Sequence, residues 1–381
     1  MQKKIIAVAV AALASTAAFA QTNVTVYGVV DVQQAFVKSS SAAYGGNTQQ
    51  NVGRLDAHGN YIGFKGVEDL GNGLKAVFVY ESAFGTDTGA GLTGTRDSYI
   101  GLAGGFGTVA AGRLTHPLRA FGAKVELLPG AAGFGTTASV TGTIAGLKTG
   151  ADDRADNAIA YISPSFSGVT VIAAYVNGEN RTNAANATPN VNNRQWQIAA
   201  QYENGPLFAG IGYHRDHDYA ATVTDGGAPG QPAYTATLGA ADGGKASVIR
   251  AVGVYTFPSN TKVTALFDRT KADSNIGELK RNAFSLGVAQ GFGKNTVGLE
   301  YGRAFKLKAA GSAVEETSAN IVSAIYSYDL SKRTMLHARY SRLSNGDAVN
   351  NNFYNKDVNN GEATGTGANY TGFSVGLRHS F

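Results

Sequence analysis

Cysteine is absent from all 381 residues, so no disulfide framework holds the chain, and the fold must rest on its core or on a backbone ladder. Tryptophan occurs once, proline eight times, and charged residues make up only 15%. After the N-terminal leader no stretch reaches 18 consecutive apolar residues, which excludes helical membrane spans. No long segment repeats its apolar residues with a period near 3.6, which argues against the helix-rich architecture usual for a soluble enzyme of this length. Nor is there a concentrated basic stripe: 32 Lys and Arg are interspersed with 27 Asp and Glu along the chain, so nucleic acid is not an expected partner.

Lys3 and Lys4 precede an apolar run from Ile5 to Leu13 and a small-residue stretch ending Ala18-Phe-Ala20. This layout predicts a cleaved secretory signal peptide over residues 1–20 and a single mature domain over 21–381. Cleavage removes two lysines and no acid, taking the formal net charge from +5 to +3. The chain is rich in glycine (50 residues) and in tyrosine and phenylalanine (18 each), a mixture suited to turns, crowded sheet walls and interfacial aromatics.

The last twelve residues, Tyr370 to Phe381, alternate with a period of two. Phe373, Val375, Leu377 and Phe381 fall on one face; Ser374, Gly376, Arg378 and Ser380 fall on the other. The same alternation separates Trp196, Ile198, Ala200 and Tyr202 from Gln195, Gln197 and Gln201, and Leu336, Ala338 and Tyr340 from His337, Arg339 and Ser341. Short turn signals at 69–73, 104–107, 164–168, 204–206, 258–260, 291–294 and 329–333 alternate with long polar stretches near 38–58, 86–94, 115–156, 178–193, 217–245, 272–279, 306–319 and 344–368. Seven short and eight long connections join sixteen strands. With one apolar and one wet face per strand, the pattern predicts a 16-stranded antiparallel transmembrane β-barrel around an aqueous lumen.

The segment from Gly63 to Phe84 (GFKGVEDLGNGLKAVFVYESAF) resembles the signature of Gram-negative general (diffusion) porins of the beta-proteobacterial type. So do Arg96 to Leu102 (RDSYIGL), Phe106 to Arg113, Tyr161 to Gly168, Leu330 to Thr334, and the terminal Val375 to Phe381. The resemblance implies a trimeric outer-membrane channel for passive diffusion of small hydrophilic solutes and ions. It also implies that the third long loop, 115–156, folds into the lumen and narrows it, and that Phe381 serves as a signal to the outer-membrane assembly machinery. Outer-membrane lipid and lipopolysaccharide are the implied surroundings. In such channels basic wall residues face acidic groups of the inward loop, and the transverse field orients solutes without catalysis.

By motif, the wall cations are Arg96 and Arg154, with Arg113 as a further inward candidate from its parity with Val109 and Ala111. Lys65, Lys75 and Glu81 fall on the wet parity of their strands. Glu126 lies well inside the inward loop, and Asp152 and Asp153 at its end. Tyr61 stands where family members commonly carry arginine, so weak rather than strong anion selectivity is expected. Two further readings are a substrate-preferring channel that uses Tyr61 and the Gly/Thr-rich loop, and an outer-membrane anchor or adhesin that conducts little.

Three motifs carry no chemistry here. Gly372-Phe-Ser-Val-Gly376 matches a hydrolase nucleophile elbow but has no room for the helix that must follow. Gly89-Ala-Gly-Leu-Thr-Gly94 matches a phosphate-binding loop without the strand-helix context. His214, Asp216, His217 and Asp218 form a sparse metal-ligand cluster where the ninth strand runs into a long loop. Neither a metal nor a cofactor is expected.

Overall fold

The computed structural model describes residues 23–40, 52–94, 96–129, 134–144, 147–178, 194–217, 221–224, 235–238, 244–274, 277–353 and 366–381. The expected signal peptide, 1–20, lies outside the described residues. Sixteen strands run β1 (Asn23–Ser39), β2 (Val52–Ala57 and Tyr61–Gly71), β3 (Leu74–Ala83), β4 (Ser98–Gly104), β5 (Gly107–Thr115), β6 (Arg154–Ile162), β7 (Val169–Val176) and β8 (Gln195–Asn204). They continue as β9 (Leu207–His217), β10 (Lys245–Thr256), β11 (Thr261–Ala272), β12 (Leu279–Phe292), β13 (Asn295–Ala304), β14 (Ala319–Asp329), β15 (Thr334–Asn345) and β16 (Tyr370–Ser380).

Each strand pairs antiparallel with its sequence neighbours, and β16 pairs with β1 from Val29↔Ser380 to Ser39↔Tyr370, closing the sheet. Closure leaves no edge, so every strand's backbone groups are satisfied within the ladder, as lipid requires. The predicted short turns all join strands where expected. One boundary differs: β2 begins at Val52, inside the expected first loop, because Val52–Ala57 continue the ladder opposite Val32–Val37 of β1 before the strand breaks at 58–60.

Burial is inverted relative to a water-soluble fold. On β10 to β15 the outward set Ile249, Phe267, Leu286, Leu299, Val322 and Tyr340 is exposed, while Arg250, Asp268, Ser285, Glu300, Ser323 and Arg339 on the opposite parity are buried. At roughly 25 cal/mol per Å² of apolar surface, such an exterior is stable only against lipid.

The third loop explains why charged wall residues are buried: it lies inside. It contains helix α1 (Pro117–Val125), whose Leu118, Phe121 and Val125 are buried. Inward-facing glycines of the wall receive its apolar side chains. A Cβ at Gly212 of β9 would meet Leu118 Cδ1 at 2.6 Å, one at Gly298 of β13 would meet Leu127 at 2.8 Å, and one at Gly372 of β16 would meet the Phe134 ring at 2.5 Å. The loop thus runs along the inner faces from β9 to β16. Gly372→Val is therefore expected to push Phe134 off the wall at a cost of about 1–3 kcal/mol, the usual penalty of overpacking. The measurement is single-channel conductance, which should fall while the barrel's unfolding temperature stays within a few degrees of wild type.

Candidate functional site

With the third loop seated on β9–β16, the inner faces of β1–β6 form the opposing wall, and the polar side chains there make one connected cluster. Tyr27 on β1 donates to Glu81 Oε1 on β3 (2.9 Å), and Arg96 Nε donates to Glu81 Oε2 (3.0 Å). The Arg96 guanidinium lies 4.0 Å from the centroid of the Tyr61 ring, and Tyr61 meets Tyr27 edge-on at 6.0 Å. Lys65 Nζ sits 5.0 Å over the Tyr27 ring. One step along the wall, Arg154 Nε and the Thr115 hydroxyl both donate to Asp97 (2.9 and 2.7 Å). Arg378 of β16 reaches Asp31 of β1 at 3.2 Å, and His337 meets the other oxygen of that carboxylate at 2.9 Å. Arg119, from α1, donates to the Asp152 carbonyl across the loop.

Arg96 thus lies on the Tyr61 ring, while Arg154 and Arg378 are held beside it on the inner wall by Asp97 and Asp31. In this cluster Lys65, Arg96, Arg119, Arg154 and Arg378 face the carboxylates Asp31, Glu81 and Asp97, so positive charge is in excess by two.

The loop's acids are placed differently from the sequence expectation. Asp152 is turned into the wall, where Arg250 Nη2 donates to it at 2.8 Å; Arg250 also grips Asp268 through Nε and Nη2 (2.7 Å each) and the Leu118 carbonyl (2.8 Å). Glu126 is likewise buried: its Oε1 accepts from Thr137 at 3.2 Å, while the neighbouring Leu127 N–H donates to Glu300 (2.7 Å). Lys262 binds the Glu126 carbonyl at 3.2 Å, and Arg339 lies 3.5 Å from Glu300. These acids fasten the loop instead of facing open water, because burying them beside wall cations is less costly than burying those cations alone. Asp153 is half-buried, and its carbonyl accepts from the His116 N–H.

Arg113 is also corrected. Register pairs it with Ser98, on the parity of Ile100 and Leu102, which are exposed on the barrel exterior, so it faces outward and binds Asp156 of β6. β5 carries apolar residues on both faces, so alternation alone could not orient it. Lys75 faces inward but lies opposite Asp69, at the short-turn mouth and away from the cluster. Tyr27, Asp31, Asp97, Arg119 and Arg378 were missed as a group; only the wet parity of Arg378 was legible. His214 and His217 take opposite parities on β9, with His214 buried between Gln197 (2.6 Å) and Asp216 (2.8 Å). Among the described residues no three potential metal ligands converge.

Two loop groups give the fastening a pH window. Burial, and then the Glu300 carboxylate, push Glu126 up to about 8, so it is protonated at neutrality. A raised carboxylate contributes stability that is complete below the ordinary carboxylate range and lost as pH rises through about 8. Burial, and then His214, push His116 down to about 4 from the usual 6.5; its contribution is complete above 6.5 and lost as pH falls toward 4. Between about 4.5 and 6.5 the two slopes offset each other, so open-channel noise is expected to be least there, and to rise as pH climbs from 6.5 toward 8 or falls toward 4. H116Q should flatten the acid limb and E126Q the alkaline one.

A closed barrel, apolar outside and wet inside, with an inturned loop facing a charged wall, is a transmembrane diffusion channel. A family model described as Gram-negative porin matches residues 7–348, and the chain belongs to that family. Outer membrane porin protein 32 of Delftia acidovorans is 34% identical over all of both chains, and an outer membrane porin protein of Bordetella pertussis is 27% identical, again end to end. Among solved structures, the anion-selective porin from Comamonas acidovorans superposes with a TM-score of 0.76 and 28% identity, covering 95% of this chain and 100% of that one. The trimer form of OmpT from Vibrio cholerae shares the fold at a TM-score of 0.66 and 13% identity. The protein is thus an outer-membrane porin, a channel rather than an enzyme, through which small hydrophilic solutes and ions diffuse passively.

Proposed function

We propose that this porin is a weakly anion-selective homotrimeric channel whose selectivity is set where Tyr61, Lys65, Glu81, Arg96 and Arg154 face the third loop. The observation that carries this reading is the positive excess at the bare wall, given that the loop's own acids Glu126 and Asp152 are occupied in fastening it. Rings of fixed charge set permeation by raising the local concentration of one sign of ion. The preference is weak because Glu81 and Asp97 are tied to Arg96 and Arg154, and because a neutral phenol stands at position 61. The anion selectivity in the name of the Comamonas acidovorans protein agrees in sign.

The expected measurement is a reversal potential of anion-selective sign in a planar bilayer under a salt gradient; a cation-selective sign would sink the reading. The chain is made with the signal peptide 1–20, inserted by the assembly machinery through the strand ending at Phe381, and surrounded by lipid and lipopolysaccharide. Cross-linking of the detergent-extracted protein is expected to stop at three copies. A single-copy species with full conductance would overturn the trimer.

A further inference from the structure

One buried cluster of the inner wall lies apart from the selectivity site. At the external end of β8 and β9 the inward pairs Gln195↔Asp216 and Gln197↔His214 stand in successive rows. The two ends of the third loop, joined where the His116 N–H donates to the Asp153 carbonyl at 3.2 Å, close over them. The 3-10 turn Gly150–Asp152 lies directly on the first row: a Cβ at Gly150 would meet Asp216 Oδ2 at 3.3 Å, its Oδ1 at 3.4 Å and Gln195 Nε2 at 3.4 Å. His116 Nδ1 bonds the Gly150 carbonyl at 2.8 Å, and its ring lies 5.3 Å from that of His214. His116, Gln197, His214 and Asp216 are each at most 2% exposed.

The bonds already made decide what each side chain has left. His116 must carry its proton on Nδ1 to donate to a carbonyl, so its Nε2 is a bare acceptor. His214 donates from Nε2 to Asp216 Oδ2 at 2.8 Å, and its Nδ1 accepts from the Gln197 amide at 2.6 Å. His116 Nε2, Asp216 Oδ1, Gln195 Oε1 and Gln197 Oε1 remain, each buried and without a hydrogen-bond partner. All four are acceptors. Asp216 has no Lys or Arg bonded to it among the described residues, and a buried carboxylate in that position is one that binds metal.

A water molecule brings two protons to such a cluster, whereas a cation satisfies all four lone pairs at once. The outer contacts also match. An imidazole whose second ring nitrogen is held by a backbone carbonyl, and a carboxylate whose second oxygen is held by a histidine, are groups oriented as metal ligands are. One imidazole nitrogen with three oxygens is a borderline set, softer than the all-oxygen sets of calcium and magnesium. No three His, Cys, Asp or Glu side chains converge among the described residues; here two amide oxygens complete the set. Of the cluster read from the sequence, Asp216 is a ligand and His214 its support, while His217 takes the opposite parity and Asp218 lies outside the described residues.

We propose that His116, Gln195, Gln197 and Asp216 form a binding site for one divalent transition-metal ion, which ties the third loop to β8 and β9. His116 belongs to the loop and the other three ligands to the wall, so the bound ion is a cross-link between them. It fastens the two ends of the loop as Arg250 fastens Asp152.

The test uses zinc as the probe on the refolded full-length porin, first stripped with a chelator. Equilibrium dialysis is expected to load one zinc per chain. Loading should lower open-channel noise and slow proteolytic nicking within 115–156, and the chelator should reverse both. D216N and H116Q are each expected to bind zinc at least about tenfold more weakly, since even an outer contact is worth about 10–100-fold in affinity. H217Q, on the outer parity, should bind as wild type does. Q195E, which places a second carboxylate in the same site, should bind at least about tenfold more tightly, and it decides the matter if D216N and H116Q fail to fold. An absence of bound zinc, an unchanged affinity in D216N and H116Q, or an unchanged affinity in Q195E overturns the site. A loss in H217Q as large as that in D216N also overturns it, because the zinc would then sit on the external loop. Loading that leaves noise and nicking unchanged overturns the cross-link.

Discussion

R250M is expected to release the third loop while leaving the barrel closed. Arg250 is 1% exposed and bridges Asp152 on the loop to Asp268 on β11, while its Nη1 also holds the Leu118 carbonyl. Methionine keeps much of the side-chain volume but leaves two buried carboxylates without a cation. Removing one partner of such a buried group costs about 3–5 kcal/mol. The barrel ladder does not depend on this side chain, so the cost falls on the attachment of the loop. The expected record is rapid flicker between conductance levels and faster proteolytic nicking within 115–156, with unchanged β-sheet content. D152L/R250M/D268L removes the charges altogether and is expected to restore quiet conductance, since an apolar trio of similar volume fills the site without a desolvation penalty. A quiet R250M channel would show that apolar seating of Leu118, Phe121 and Phe134 suffices to hold the loop.

R96Q/R154Q is expected to abolish the anion preference. The wall cluster loses two cations and leaves Glu81 and Asp97 without the arginines that neutralise them, each keeping only a hydroxyl donor, Tyr27 or Thr115. Three cations then face three carboxylates, two of the acids no longer paired. Charges about 7 Å from a permeating ion in water contribute roughly 0.6 kcal/mol each, acting oppositely on anions and cations. The anion-to-cation permeability ratio should therefore fall by about tenfold or more at low salt, and by less near physiological ionic strength, where screening acts over about 8 Å. The complementary change, Y61R, should raise anion preference by adding a cation beside Arg96. Reversal potentials of both variants under the same gradient decide the matter. An anion preference that survives R96Q/R154Q would locate the selectivity elsewhere along the lumen.

The third loop shows where reading the sequence stopped. Its length and position pointed inward, but nothing in 115–156 said which wall it would lie on. That was decided by glycines on β9, β13 and β16, whose missing side chains leave room for Leu118, Leu127 and Phe134. A glycine on a strand reads in sequence as a weakness or a bulge; only its inward parity and a partner some 90 to 240 residues away make it a seat. Glu126 and Asp152 illustrate the same limit. As acids in an inward loop they read as selectivity groups, yet the side of the loop on which each falls depends on the path of the backbone.

The sequence by itself determined the sixteen strands, their order, the alternation of long and short connections, and the lipid-facing parity wherever a strand is apolar on one face only, as on β8, β15 and β16. These follow from local chemistry with a period of two, which a chain carries in its own residues. The tertiary structure decided the direction of Arg113 on a strand apolar on both faces. It also decided the meeting of Tyr27, Tyr61 and Arg96 around Glu81, the placing of Arg154 and Arg378 on the same inner wall, and the use of Arg250 as a fastening instead of a wall charge. Each depends on register between strands far apart in sequence, and register is fixed only when the sheet closes on itself.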